Sequence, residues 1–172
     1  MTKHPKLLYH FTCHLWWRFI KSEGIRFGEV PISRGRLLNF PNLTIDPDPA
    51  NQEWAGFAGE ILSQGDHRVI NGVNKRAIRI AVKFPRPNPR LVRWVDLARQ
   101  TGMGEHVLRR LNDSGGGHMH DWWIFRGTIP PARFHSVKFL DGDQVHPVEQ
   151  KMIEALKEAF SSRQAIQMCG GA

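Results

Sequence analysis

The chain has 172 residues, 41% of them hydrophobic and 23% charged, and a formal net charge of +8. Such a composition belongs to a globular rather than a disordered chain, and the length suits one domain with a sizeable core. No apolar run approaches the ~20 residues needed to span a bilayer, which argues against a membrane partner. The positive balance favours polyanions or a phosphate-bearing ligand, and the cations are spread along the chain rather than blocked into a disordered arm. Two cysteines, Cys13 and Cys169, do not make a disulfide framework, and no signal peptide is visible, so the expected location is cytoplasmic.

Leu7 to Thr12 is a short apolar and aromatic run that reads as a strand. Leu15, Trp16, Phe19 and Ile20 then repeat at helical spacing up to Glu23, and Gly24 stands where a helix ends on a glycine. Ile25 to Val30 reads as a second strand and Pro31 to Phe40 as a loop. Asn42–Ile45 is a short strand stopped by Asp46, Pro47, Asp48 and Pro49. Gln52–Ser63 carries a weak helical signal, and Gly65 to Asn74 reads as a flexible loop.

Arg76 to Phe84 is the clearest strand, with Ile78, Ile80, Val82 and Phe84 on one side and Ala77, Arg79, Ala81 and Lys83 on the other. Leu91, Val95 and Ala98 line a helix closing at Gly102, and Val107, Leu108 and Leu111 mark another. Trp122 to Arg126 and Phe134 to Leu140 read as strands joined by the Gly127–Pro131 turn. Pro147 opens a last amphipathic helix with Val148, Met152, Leu156 and Ala159 on one side, and the 170–172 end should fray. Without a regular βαβ rhythm, the fold class expected is α+β, with one domain over residues 1–145 and a C-terminal helix in 146–172 packed on it.

Three constellations could carry chemistry. The first is Tyr9 to Thr12, which sets a histidine on a strand between aromatics, with a hydroxyl after it. The second is His118-x-His120 with Asp121, to which His10 and His14 could add ligands. It lacks CxxC, HExxH and a second carboxylate cluster, so no metal site is expected. The third is the interleaving of Trp16, Trp17 and Arg18, and of Arg90, Arg93 and Trp94, which suits nucleic-acid contact. Trp16 and Trp94 sit in the apolar stripes of their helices, however, which predicts core packing for both. Gly115-Gly116-Gly117 is not followed by Lys-Ser/Thr and fails as a phosphate loop.

The strand LYHFT, its helix and the Gly24-Ile25 that follows resemble the first strand–helix unit of the ADP-ribosyltransferase-like superfamily, including small bacterial and phage-borne members. Leu43-Thr44-Ile45-Asp46 is similar to that family's LT-D strand. WWIFRGTIPPARF, Trp122 to Phe134, is similar to its closing strand and G-x-I-P-P turn. The resemblance implies a split antiparallel β core with flanking helices and a cleft for NAD. It implies His10 on a ribose, Tyr9, Thr12 and Thr44 on the cleft wall, and Trp54 or Phe57 stacked on nicotinamide. Active members carry a glutamate near the start of a late strand. The nearest acid here is Asp121, with Glu60 as the second candidate. The implied activity is transfer of ADP-ribose from NAD to a nucleic-acid or protein acceptor. A related branch, the RNA 2′-phosphotransferases, grips phosphate with histidines and arginines, for which Arg79 is a candidate. The other reading is a non-catalytic basic module that binds nucleic acid or a host protein.

Overall fold

The structure is a computed structural model that describes residues 5–33, 36–52, 69–70, 73–114, 117–140 and 149–158. In chain order the elements are β1 (Leu7–Thr12), α1 (His14–Glu23), β2 (Glu29–Ser33), β3 (Arg36–Asn39) and β4 (Asn42–Thr44). They continue with β5 (Val69–Ile70), β6 (Val73–Asn74), β7 (Ile78–Lys83), β8 (Leu91–Arg93), α2 (Trp94–Gln100) and α3 (Glu105–Ser114). β9 (Trp122–Phe125) and β10 (Phe134–Phe139) follow, and residues 149–158 form a last helix, α4. The α+β class is as expected from the sequence. Among the described residues, no helix is long and apolar enough to cross a membrane.

Six of the described strands make one antiparallel sheet in the order β10-β7-β1-β4-β9-β8. Its joints are unequal. β1 runs against β7 along its whole length, from Leu7↔Lys83 to Thr12↔Ile78. It meets β4 at one register position, Tyr9↔Thr44. Thr44 in turn faces Trp122 of β9. Ala81, Tyr9, Thr44 and Trp122 therefore form one row across four strands, and on either side of that row β1 and β4 part company.

Two apolar clusters hold the halves. Ile78, Ile80, Val82 and Phe84 are fully buried with Leu8, Ile20, Trp123 and Phe125, so period-two alternation along β7 supplies one wall of the first core. The second core sets Trp94, Leu97, Leu108 and Leu111 of α2 and α3 against Trp122 and Ile124 of β9. All four β9 residues are buried because its two faces serve different cores. The Trp94 and Trp122 rings meet edge-on at 5.2 Å, a geometry worth about 0.5–1.5 kcal/mol beyond area burial.

Several sequence expectations need correction. Ile25 makes only an isolated bridge, to Ile129, and the second strand begins at Glu29, pairing with β3 where a loop was expected. The span Gly65–Asn74 includes the short β5–β6 pair. Leu91 lies on β8 rather than in the helix, since three residues after Pro89 pair with β9 before α2 starts. On α4 the buried residues are Glu149 and Ile153, while Met152 and Leu156 are 42% and 36% exposed. The helix is rotated because the Glu149 carboxylate accepts a 2.6 Å hydrogen bond from the Leu15 backbone N–H at the start of α1. That N–H has no partner within its own helix, so the carboxylate satisfies it from another element. The weak helix expected over Gln52–Ser63 and the fraying expected at 170–172 lie outside the described residues, apart from Gln52 itself.

Candidate functional site

A cleft of about 710 Å³ opens where β1 and β4 separate. Its walls come from β1, β4, the cleft-side face of α1 and the segments Arg26–Gly28 and Lys75–Arg76, with Trp122 of β9 alongside. Of the residues singled out from the sequence, it gathers Tyr9, His10, Thr12 and Thr44.

His10 is only 6% exposed, and its Nδ1 lies 2.9 Å from the carbonyl oxygen of Asn42. A carbonyl can only accept, so Nδ1 carries the proton and donates. Nε2 is then left as a lone-pair acceptor in the neutral ring. Burial holds the His10 imidazole below its ordinary value of 6.5, with the Asn42 hydrogen bonds opposing the shift. The ring is therefore a fixed, neutral tautomer able to accept from a hydroxyl. Thr44, 3% exposed, accepts from the Asp46 backbone N–H at 3.1 Å and so starts the turn that ends β4. Asp46 binds the Asp48 N–H and the Asn51 side chain at 2.8 Å each, which stiffens that wall down to Gln52.

Cys13 also borders the cleft but is no nucleophile. Burial, with the Glu149 carboxylate adding to it, pushes its thiol up to about 12. Charge in the cleft is mainly positive: Arg26, Lys75 and Arg76 face a single described carboxylate, Glu23, which pairs with Arg26 at 2.7 Å. Arg76 is 8% exposed and donates to the Pro49 carbonyl at 2.8 Å.

The other expected site residues lie elsewhere. Asp121 immediately precedes Trp122 but is not among the residues lining the cleft. Its backbone carbonyl accepts from Ile45 N–H at 3.0 Å, and its carboxylate is 3.6 Å from His118 Nδ1. Arg79 lies with its guanidinium 5.5 Å from the Tyr9 ring centroid and donates to the Pro47 carbonyl. Trp54, Phe57 and Glu60 lie outside the described residues. His118, His120 and Asp121 do not converge on a metal geometry: His120 Nδ1 turns to Arg93 at 3.2 Å, and the described residues hold no group of three metal-binding side chains.

Sequence reasoning missed Asn42, whose contribution is a backbone carbonyl and leaves no mark in residue type. It also missed Glu23 and misread Trp16. Trp16, Phe19, Ile20 and Glu23 share one helical face at i, i+3, i+4 and i+7, and that face borders the cleft. Trp16 is 53% exposed, whereas Trp94 is fully buried as expected. The neighbour Trp17 packs against the first core instead.

The segments that carried the family resemblance meet in space. Tyr9 pairs with Thr44, and Thr44 with Trp122. Gly24-Ile25 docks on the G-x-I-P-P turn through reciprocal 2.9 Å hydrogen bonds between Ile25 and Ile129. Compared with known proteins, the chain matches no family model, no curated protein and no solved structure.

Proposed function

We propose that this chain is an ADP-ribosyltransferase-like protein that binds NAD in the split between β1 and β4 and passes ADP-ribose to a macromolecular acceptor. The observation that carries the reading is His10: a neutral imidazole, fixed by the Asn42 carbonyl, set in a cleft of about 710 Å³ beside Thr12 and Thr44. That volume lies within the ~300–1,000 Å³ typical of cofactor and small-molecule sites. The convergence of the YHFT, LT-D and WWIF segments on one row supports it further.

In the transfer, the bond between ribose and nicotinamide breaks and the bonding pair leaves with nicotinamide. An acceptor lone pair closes on the ribose carbon, and the acceptor gives up its proton to solvent. On this reading His10 Nε2 accepts from a ribose hydroxyl, while the charge of Lys75 and Arg76 on the cleft border favours the phosphates. Of the two carboxylates expected from the sequence to steady the sugar cation, Asp121 precedes Trp122 of the cleft wall without lining the cleft, and Glu60 lies outside the described residues.

The test is an NAD titration followed by tryptophan fluorescence, since Trp16 and Trp122 both border the cleft, with calorimetry as the cross-check. Saturable binding is expected, weakened about tenfold by His10→Ala, the size of one net hydrogen bond of about 1.4 kcal/mol. Absence of binding at millimolar NAD would remove the reading and leave a basic binding module.

A further inference from the structure

We propose that the outer lip of the cleft is a docking site for single-stranded nucleic acid. Calling that strand the acceptor rests on the transferase reading above, but the docking does not. Trp16 and Phe27 are the two most exposed large hydrophobic side chains among the described residues, at 53% and 62%. Both border the same cleft, Trp16 from α1 and Phe27 from the segment that follows it. Phe19 supports Trp16 from one turn along, with ring centroids 6.1 Å apart. Burying either ring would remove a large apolar area from water, so leaving both exposed at one rim marks a surface that meets a partner.

The charges beside the rings choose the partner. The Arg26 guanidinium, paired with Glu23 at 2.7 Å, lies 5.4 Å from the Phe27 ring centroid, and the exposed Lys75 stands on the cleft border with Arg76 next to it. Flat aromatic faces flanked by cations are what successive bases and their phosphates require: the rings stack on bases and the cations follow the backbone. A base paired within a duplex keeps its faces covered by its neighbours, so only an unpaired strand can offer them to Trp16 and Phe27. The chain's net charge of +8 adds a field of the right sign.

The test uses the full chain and fluorescein-labelled 12-nucleotide strands of thymidine and of uridine, with a duplex of equal length, read by anisotropy. Single strands should bind, and the duplex about tenfold or more weaker. Trp16→Ala and Phe27→Ala should each weaken strand binding about tenfold, the size of one lost base stack. Two phosphate contacts, at Lys75 and Arg26, predict a slope of about −1.4 for log affinity against log salt. Tighter binding of either the deoxy or the ribo strand supports the docking and names the sugar. Equal affinity for the duplex, or lip variants that bind strands as the wild type does, would overturn it. So would loss of NAD affinity in the lip variants, which would reassign the rings to the dinucleotide. His10→Ala separates the two ideas: it should weaken NAD about tenfold and keep the strand. A wild type that binds strands and ignores NAD would uphold the lip while the transferase reading falls.

Discussion

Replacing Gly24 by alanine tests the joint that closes the cleft rim. Gly24 ends α1 with φ +83° and ψ 179°, a region essentially reserved for glycine. Its N–H is bonded to the Ile20 carbonyl at 2.9 Å. A Cβ there would overlap the Ile129 carbonyl oxygen and stand 3.0 Å from the Ile129 carbonyl carbon and 3.1 Å from Pro130 Cα. All three are backbone atoms, so no rotamer change relieves the clash. The backbone strain alone costs about 1–3 kcal/mol. Moving Ile129 away breaks both 2.9 Å bonds with Ile25, at about 1 kcal/mol each. The total is about 3–5 kcal/mol, and at roughly 2–4 °C per kcal/mol for a chain of this size Tm should fall by about 6–20 °C. Gly102 is the internal control: its φ is +86°, but a Cβ there meets nothing within 4 Å. Gly102→Ala therefore carries only the backbone strain, and Gly24→Ala should melt about 4–8 °C below it. Both values come from one thermal unfolding series by circular dichroism. Equal losses in the two variants would mean that the Ile25–Ile129 joint is not closed in solution, and the rim built on it would have to be redrawn.

The folded state holds His10 below the ordinary 6.5 through burial, so the unfolded chain binds that proton first and stability falls as pH drops through 6.5. In denaturant titrations between pH 7.5 and 5, His10→Gln should lose that part of the slope, whereas an unchanged slope would place the titration on another group. With its thiol pushed up to about 12 and buried, Cys13 should resist alkylation at pH 8 in native Cys169→Ser protein and react on unfolding, as read by mass spectrometry. Glu149→Ala should orphan the Leu15 N–H at the start of α1 and cost about 1–3 kcal/mol, while Glu149→Gln keeps an acceptor and most of the stability. Equal melting of the two Glu149 variants would show that the carboxylate does not cap α1.

Much of the fold was legible because its strands are tied to one period. β1 follows the Leu7–Thr12 run end to end, and β7 carries its buried isoleucines and valine at every second residue. The strands that escaped, β3, β5, β6 and β8, are only two to four residues long, too short to show a period. Leu91 belongs to a three-residue strand whose pairing with Phe125 no local pattern announces. α4 escaped for another reason: its orientation follows the Leu15 N–H on α1, and a helical wheel contains no information about a donor on another element.

The same distinction decides the site. Tyr9, His10, Thr12 and Thr44 were set on one cleft by the family resemblance alone, and in the structure the Tyr9↔Thr44 register of β1 and β4 brings them together there. Trp16 was not, because a 3.6-residue period identifies the apolar face of a helix without saying what that face meets. On α1 the apolar surface is shared: Trp17 packs on the first core, Trp16 and Phe19 turn toward the cleft, and Ile20 meets both. A helix standing at the split of a sheet needs apolar residues on both sides, one set to hold it in place and one to line the cleft. Composition makes the two sets identical. Exposure separates them, and it is the 53% exposure of Trp16, not its place in the stripe, that argues for a partner.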